Sequence, residues 1–184
     1  MRFASIIPAA LALLLSGPVY AQTWGEFTDR QDHFTVNFPG DPKVEPITYK
    51  TDKGTPLPAK MYTAKDARGG EYSITVVNYA SAAAEAGNAI AQAAKAIRSK
   101  GDVRYDGMEH TNNMKSQRVS VVLPDSGRFL LSETLMDHDR LFILQADTPP
   151  KMPPPAQFQA SLQVLDDDGV AIRYKNPDTT ERAR

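Results

Sequence analysis

The sequence predicts an α+β fold in which an antiparallel β-sheet is sandwiched between helices. Three observations carry that expectation: an apolar hairpin in residues 127–148, six further extended stretches that alternate or end in turn residues, and two helical patterns to cover the sheet. In the hairpin, Phe129, Leu131 and Leu135 share one face of the first run, with Leu130 and Met136 on the other. The second run splits Leu141 and Ile143 from Phe142, Leu144 and Ala146. Both faces therefore demand cover, which places this hairpin at the centre of the sheet with a layer on each side.

The chain opens with Arg2, an apolar run over residues 6–15, Ser16-Gly17-Pro18 and the small-residue pattern Val19-Tyr20-Ala21. This is the layout of a secretory signal peptide, with cleavage expected between Ala21 and Gln22. A membrane-spanning helix needs about 20 apolar residues, and this run is roughly half that length before Gly17 and Pro18 break it. The expected organisation is a signal peptide over 1–21, one α+β domain over 22–174 and a disordered tail over 175–184. Export implies the periplasm or the cell exterior, with no membrane span in the mature form.

Lys and Arg number 21 against 22 Asp and Glu, a formal net charge of −1, and the longest like-charged run is Asp166-Asp167-Asp168. Nucleic acid is not an expected partner, because it would call for clustered cations. The chain has no cysteine, so thiol chemistry is excluded and an exported domain must rely on its core rather than on disulfides.

Taken in order, residues 22–32 are polar apart from Trp24 and Phe27, and residues 33–38 then alternate with Phe34, Val36 and Phe38 on one face. Pro39-Gly40-Asp41-Pro42 ends that strand. Residues 43–50 form a second strand, at an edge because Pro46 cannot donate to a ladder. Residues 58–65 and 71–79 form the third and fourth, joined by a turn at Gly69-Gly70. In the fourth, Tyr72, Ile74 and Val76 oppose Ser73, Thr75, Val77 and Tyr79, which again points to the sheet interior.

Residues 81–100 are alanine-rich and predict one helix, with Ser81 as N-cap, Gly101 as the C′ residue and Arg98 and Lys100 at the negative end of the dipole. Ala83, Ile90, Ala94 and Ile97 are its packing face. Residues 102–111 and 114–123 read as strands around Asn112-Asn113. After the central hairpin, Pro149, Pro150, Pro153, Pro154 and Pro155 form a stiff connector. Pro155 then opens a second covering helix, with Phe158, Leu162 and Leu165 as its stripe.

The string Phe34-Thr35-Val36-Asn37-Phe38-Pro39-Gly40-Asp41-Pro42 resembles the opening of bacterial exported proteins with the Mog1/PsbP-like fold. The strand 72–79, the helix after it, Arg140-Leu141-Phe142-Ile143-Leu144 and the closing Phe158-Gln159-Ala160-Ser161-Leu162 are similar in order and spacing. The resemblance implies an antiparallel sheet between helices, in a family whose characterised relatives act mainly as binding or assembly factors. It brings no catalytic residue to carry over.

Candidate chemical sites are weak on their own residues. Asp137-His138-Asp139 offers three ligand types in a row, but neighbours on an extended chain point apart. Asp166-Asp167-Asp168-Gly169 resembles the middle of a calcium loop, yet alignment on Gly169 puts Val164 and Lys175 where the first and last ligands belong. Ser126 lacks the elbow of a hydrolase nucleophile and a histidine base. His33 and His110 fall in predicted strands, and Gly69-Gly70 has neither the spacing nor the lysine of a phosphate loop. Accordingly no catalytic, cofactor-binding or metal residue is expected.

The leading expectation is a non-enzymatic binding or assembly module of the cell envelope, using another envelope protein as partner and no cofactor. Its variable surfaces would be the loops 51–56, 66–70 and 149–155. The alternative is a small-molecule carrier or weak hydrolase with a pocket drawn from Trp24, Tyr49, Tyr62, Tyr72, Tyr79 and Tyr105. Processing is directly testable: the intact mass of the exported protein should correspond to a chain beginning at Gln22. A mature species retaining Arg2 would refute the cleavage assignment.

Overall fold

The computed structural model describes residues 24–112, 114–152 and 156–172. The signal segment with its Ala21 and Gln22 cleavage site, Asn113, Pro153, Pro154, Pro155 and the tail 175–184 lie outside the described residues. Strands β1 (Trp24–Asp29) and β2 (Phe34–Pro39) are followed by β3 (Lys43–Lys50), β4 (Pro56–Lys65) and β5 (Glu71–Asn78). A 3-10 turn (Ala80–Ala82) then leads through α1 (Ala83–Ala86) to α2 (Ala89–Arg98). Next come β6 (Asp102–Thr111), β7 (Met114–Val122), β8 (Phe129–Asp137), β9 (Arg140–Thr148), α3 (Ala156–Ala160) and β10 (Gln163–Val164).

Seven strands make one antiparallel sheet in the order β3-β4-β5-β9-β8-β7-β6. The hairpin β8–β9 lies inside it, and β9 is the middle strand. Leu131 pairs with Ala146 and Leu135 with Phe142, which puts these four side chains on one face. Leu141 and Ile143 occupy the opposite face beside Val77. Each face is thus apolar across the central strands, and each must be roofed for the sheet to leave water.

The two roofs differ, and here the sandwich between helices is corrected. One face is covered by α2, which buries Ala89, Ala93, Ala94 and Ile97. The small side chains let its backbone approach Leu141, Val119 and Val121. The other face is covered mainly by a second, three-stranded sheet in the order β1-β2-β10. Phe34, Val36 and Phe38 of β2 point into Tyr62, Ile74, Phe142 and Leu144, so the alternating strand buries its apolar face as a separate layer. The short α3 adds Phe158 to the same cluster.

The terminal helix expected from Phe158, Leu162 and Leu165 is therefore a single short helix followed by strand. Ser161 Oγ donates to the Phe158 carbonyl at 2.8 Å and accepts the Asn37 amide at 2.9 Å, which draws the chain onto β2. Gln163 and Val164 then pair with Thr35 and Phe34, and Leu162 and Leu165 reach the interior without a helix. The residue spacing fitted a helical stripe, but an open ladder on β2 satisfied the backbone instead.

The long alanine helix is also interrupted. Gly87 and Asn88 separate α1 from α2, as expected of residues that weaken helix interiors. No side chain caps either helix start, so Ser81 is not an N-cap. Gly101 does not take a left-handed C′ conformation; a Cβ there would run into the Val122 backbone, so its lack of a side chain serves close approach. β1 went unpredicted, because Trp24 and Phe27 are three apart and break the two-residue period of a strand. In place, Trp24 meets Tyr72 edge-on at 4.8 Å between centroids.

Among the described residues no helix is long and apolar enough to cross a membrane. Truncating the fully buried Phe142 or the buried Leu131 to Ala should cost about 2–5 kcal/mol in denaturation midpoints, against under about 0.5 kcal/mol for Asp139→Ala in the hairpin turn. Equal and small effects would move the centre of the fold elsewhere.

Candidate functional site

An open cleft of about 680 Å³ lies at one end of the seven-stranded sheet, past the end of α2. Its apolar lining comes from Met61, Leu123 and Leu130, with Tyr72 at one side. Thr63, Ser73 and Gln145 add polar groups from β4, β5 and β9. Pro39, Gly40, Asp41 and Lys43, where the chain passes from the small sheet to the large one, form a wall. Lys100 stands just beyond α2, and Lys65, Glu71 and Asp147 add further charges. A shallower groove of about 170 Å³ continues past Lys100 and Gln145 along α2 to Ile47 and Tyr49.

The loops at this end are held by one side chain. Arg128 Nε donates to Asp147 Oδ1 at 2.7 Å, while its Nη2 donates to the carbonyls of Asp147 at 3.0 Å and Gly69 at 2.9 Å. The β4–β5 turn, the β7–β8 turn and the exit of β9 are thereby tied together. Within the first of these, Asp66 Oδ1 accepts the Arg68 and Gly70 amides, both at 2.8 Å, and Oδ2 accepts the Tyr72 hydroxyl at 3.0 Å. Gly69 takes φ +82°, the left-handed region that glycine enters without a steric cost. Burial acts to raise the Asp66 pKa, but the Gly70 amide, the Tyr72 hydroxyl and the Arg68 amide outweigh it and hold the carboxyl below its usual range. Burial and the same Asp66 contact push Tyr72 up to about 12.

Two polar networks elsewhere escaped the sequence reading. Glu133, only 1% exposed in the middle of β8, accepts from Arg118 Nη2 at 2.8 Å, from Ser116 Oγ at 3.1 Å and from Thr111 Oγ1. Arg118 Nη1 also pairs with Glu109 Oε2 at 2.8 Å. A carboxylate at the centre of a strand that carries Leu131 and Leu135 on the same face was the available signal, because such a group needs several donors when buried. The second network straps β4 to the β1–β2 turn: the Tyr62 hydroxyl lies 2.7 Å from Asp29 Oδ2 and 2.5 Å from Asp32 Oδ2, and Lys60 Nζ is 3.1 Å from Asp32 Oδ1. Burial first, and the two carboxylates next, raise the Tyr62 pKa. Both networks lie away from the cleft lining, and in the first Arg118 Nε is buried without a partner among the described residues.

The residues singled out in the sequence are dispersed. His138 is exposed in the β8–β9 turn with φ 51°, its Nδ1 3.1 Å from Asp137 Oδ1. Among the described residues no group of three or more His, Cys, Asp or Glu is placed to hold a metal. Asp166 Oδ1 accepts the amides of Asp168 at 3.0 Å and Val170 at 2.8 Å, a side-chain-supported turn closed by Gly169. His33 sits in the β1–β2 turn at φ 57° rather than in a strand, with Nδ1 3.2 Å from the Leu165 carbonyl. Ser126 belongs to the β7–β8 turn, whereas His110 and His138 lie at the opposite ends of β6 and β8.

Of the aromatic set, Tyr72 lines the cleft and Tyr49 the side groove, while Tyr62 and Tyr79 are buried and Tyr105 is on β6. The loops 66–70 and the start of 149–155 meet beside the cleft; loop 51–56, joining β3 to β4, is at the other end of the sheet.

A depressed Asp66 pKa means that its stabilisation is present above the unfolded value of about 3.9 and is lost as pH falls through the lower folded value. Asp66→Asn should therefore lower the urea midpoint near neutral pH, and the gap from the parent should close in acid. A constant gap across that range would show that the charge of Asp66 does not fix this turn.

No protein-family model matches the chain, and no curated protein matches it in sequence. In three dimensions it is similar to cyanobacterial PsbP (CyanoP) from Synechocystis sp. PCC 6803, whose structure was determined in solution. The TM-score is 0.52 at 12% sequence identity, over 80% of this chain and 96% of that one. Identity at that level carries architecture alone, and the architecture agrees with the resemblance read from residues 34–42: the chain has a Mog1/PsbP-like fold.

Proposed function

We propose that this protein is an exported, non-enzymatic binding module of the cell envelope that receives a segment of a partner protein in the cleft at the end of its sheet. The observation that carries the proposal is the cleft itself. Its floor belongs to rigid strands, its neighbouring loops are tied by Arg128, and its volume of about 680 Å³ is within the range of specific binding sites. Apolar Met61, Leu123 and Leu130 offer burial to a partner side chain, while Lys43, Lys65, Lys100 and Asp41 offer polar contacts around it. Because the loops are already fixed, little ordering entropy opposes association.

The same volume would also accommodate a small apolar ligand. That second reading is checked by native mass spectrometry of the protein as isolated, where a bound small molecule would replace the partner segment as the occupant.

Site-specific photocrosslinking in cells tests the main reading. A photoreactive residue at Lys65 or Lys100 should capture a reproducible protein partner, whereas one at Lys53, at the opposite end of the sheet, should not. Arg128→Ala should reduce capture about tenfold, equivalent to ~1.4 kcal/mol of binding. Equal capture from Lys53, or turnover of a substrate by the purified protein with no captured partner, would overturn the proposal.

A further inference from the structure

The two edges of the large sheet are unlike. β3 is protected by Pro46, which removes a ladder donor, and by Lys43 and Lys50 at its ends. β6 is ten residues long, contains neither proline nor lysine, and among the described residues pairs with β7 alone. It also carries Met108 at 61% exposure and Tyr105 at 45%, with Val103 near its start. Its one irregularity is the register shift between Val103 and Tyr105, which leaves the length from Tyr105 to Thr111 as regular ladder. Beyond that bulge and the charged Arg104, Asp106 and Glu109, no strand of the described residues pairs with this edge and its residues are mostly exposed, so it is a template for another strand.

We infer that β6 pairs antiparallel with β6 of a second copy of this chain, with Met108 on the two-fold axis. A two-fold that joins two edges antiparallel keeps the sheet faces aligned, so opposed residues must share a face and the axis must pass through a residue. Centring on Arg104, Asp106 or Glu109 sets identical charges against each other. Centring on Tyr105 or Gly107 draws the irregular Arg104 into the paired stretch. Centring on His110 leaves only the end of the strand to pair. Met108 is the remaining register with useful length, and it sets no like charges against each other: Asp106 opposes His110 on the α2 face, Tyr105 opposes Thr111 and Gly107 opposes Glu109 on the other. Met108, the most exposed large apolar side chain among the described residues, then meets its own copy, and the unpaired edge groups gain partners.

Asp106 is already oriented on that face. Arg98 Nε and Nη2 bind its two carboxylate oxygens at 2.5 and 3.0 Å, and Gln117 Nε2 donates to it at 2.9 Å. A contact of this length buries less than the roughly 1,200–2,000 Å² of standard stable interfaces, so the dimer is of modest, concentration-dependent affinity. The β6 edge is across the sheet from the β3 side of the cleft, so this inference does not depend on the function proposed for the cleft.

The absence of native cysteine makes a single-cysteine test clean. Met108→Cys should form a disulfide-linked dimer under mild oxidation about tenfold or more faster than Val44→Cys, which places a thiol on the protected edge at 45% exposure against 61% for Met108, a difference too small to account for a tenfold change. The unmodified chain should show reversible dimerisation in sedimentation velocity, abolished by Met108→Lys with its melting transition retained. Equal crosslinking rates for the two thiols, or a unmodified chain that stays monomeric up to millimolar concentration, would overturn the inference; in either case a strand from another protein becomes the occupant to seek.

Discussion

The fold depends on one constraint: the β8–β9 hairpin is apolar on both faces and must be kept from water on both. Phe142, Leu144 and Leu135 require cover on one side, and Leu141, Ile143 and Leu130 require it on the other. Each side is met by the element whose pattern suits it. An alanine face lets α2 come close to one surface, whereas the larger aromatics of β2, at alternate positions, fill a deeper layer over the other. Burial at about 25 cal/mol per Å² acts equally on either solution, so local geometry rather than hydrophobicity decides which roof is helix and which is sheet.

That division also accounts for the cleft. The alanine-rich segment is long enough by length alone to cross the whole sheet, but its interruption at Gly87 and Asn88 leaves α2 as a helix of ten residues. Its C-terminal Arg98 is committed to Asp106 of β6, which turns the helix end toward the far edge. The floor formed by Met61, Thr63, Ser73 and Gln145 consequently remains open to solvent. A concavity arises here because a covering element ends, while the strands beneath it continue.

What was legible in the sequence follows from this physics. The central hairpin and the strands 34–39, 43–50 and 71–78 were readable because local signals fix them: alternation in the first and last strands, two apolar runs around a polar turn in the hairpin, and turn residues on either side of 43–50. β1 was not, since its two large apolar residues are out of phase, and β10 was not, since two residues gain strand character only from the partner they find on β2. The cleft was legible only in fragments. Tyr72, Lys100 and Asp147 are far apart in the chain, and no local spacing announces that they share one surface. Glu133 was different: an acid between Leu131 and Leu135 was visible as an exception, although its partners Arg118, Ser116 and Thr111 depended on the register of β7 and β6.

The Glu133 network bears on how firmly the rest is held. A buried carboxylate is costly unless its oxygens are fully occupied, and one supplied with donors from two neighbouring strands penalises any slip in their pairing. A shift of β7 by one residue would remove Arg118 and Ser116 from the face occupied by Glu133, while also turning Val119 and Val121 away from α2. Polar and apolar terms therefore select the same register. This matters most on the β6 side, where the sheet ends without a flanking strand and where the alignment of Asp106, Met108 and His110 along an open edge is inherited from β7. The edge is thus both exposed and fixed in register, which distinguishes a surface able to pair specifically from one that would pair in several ways.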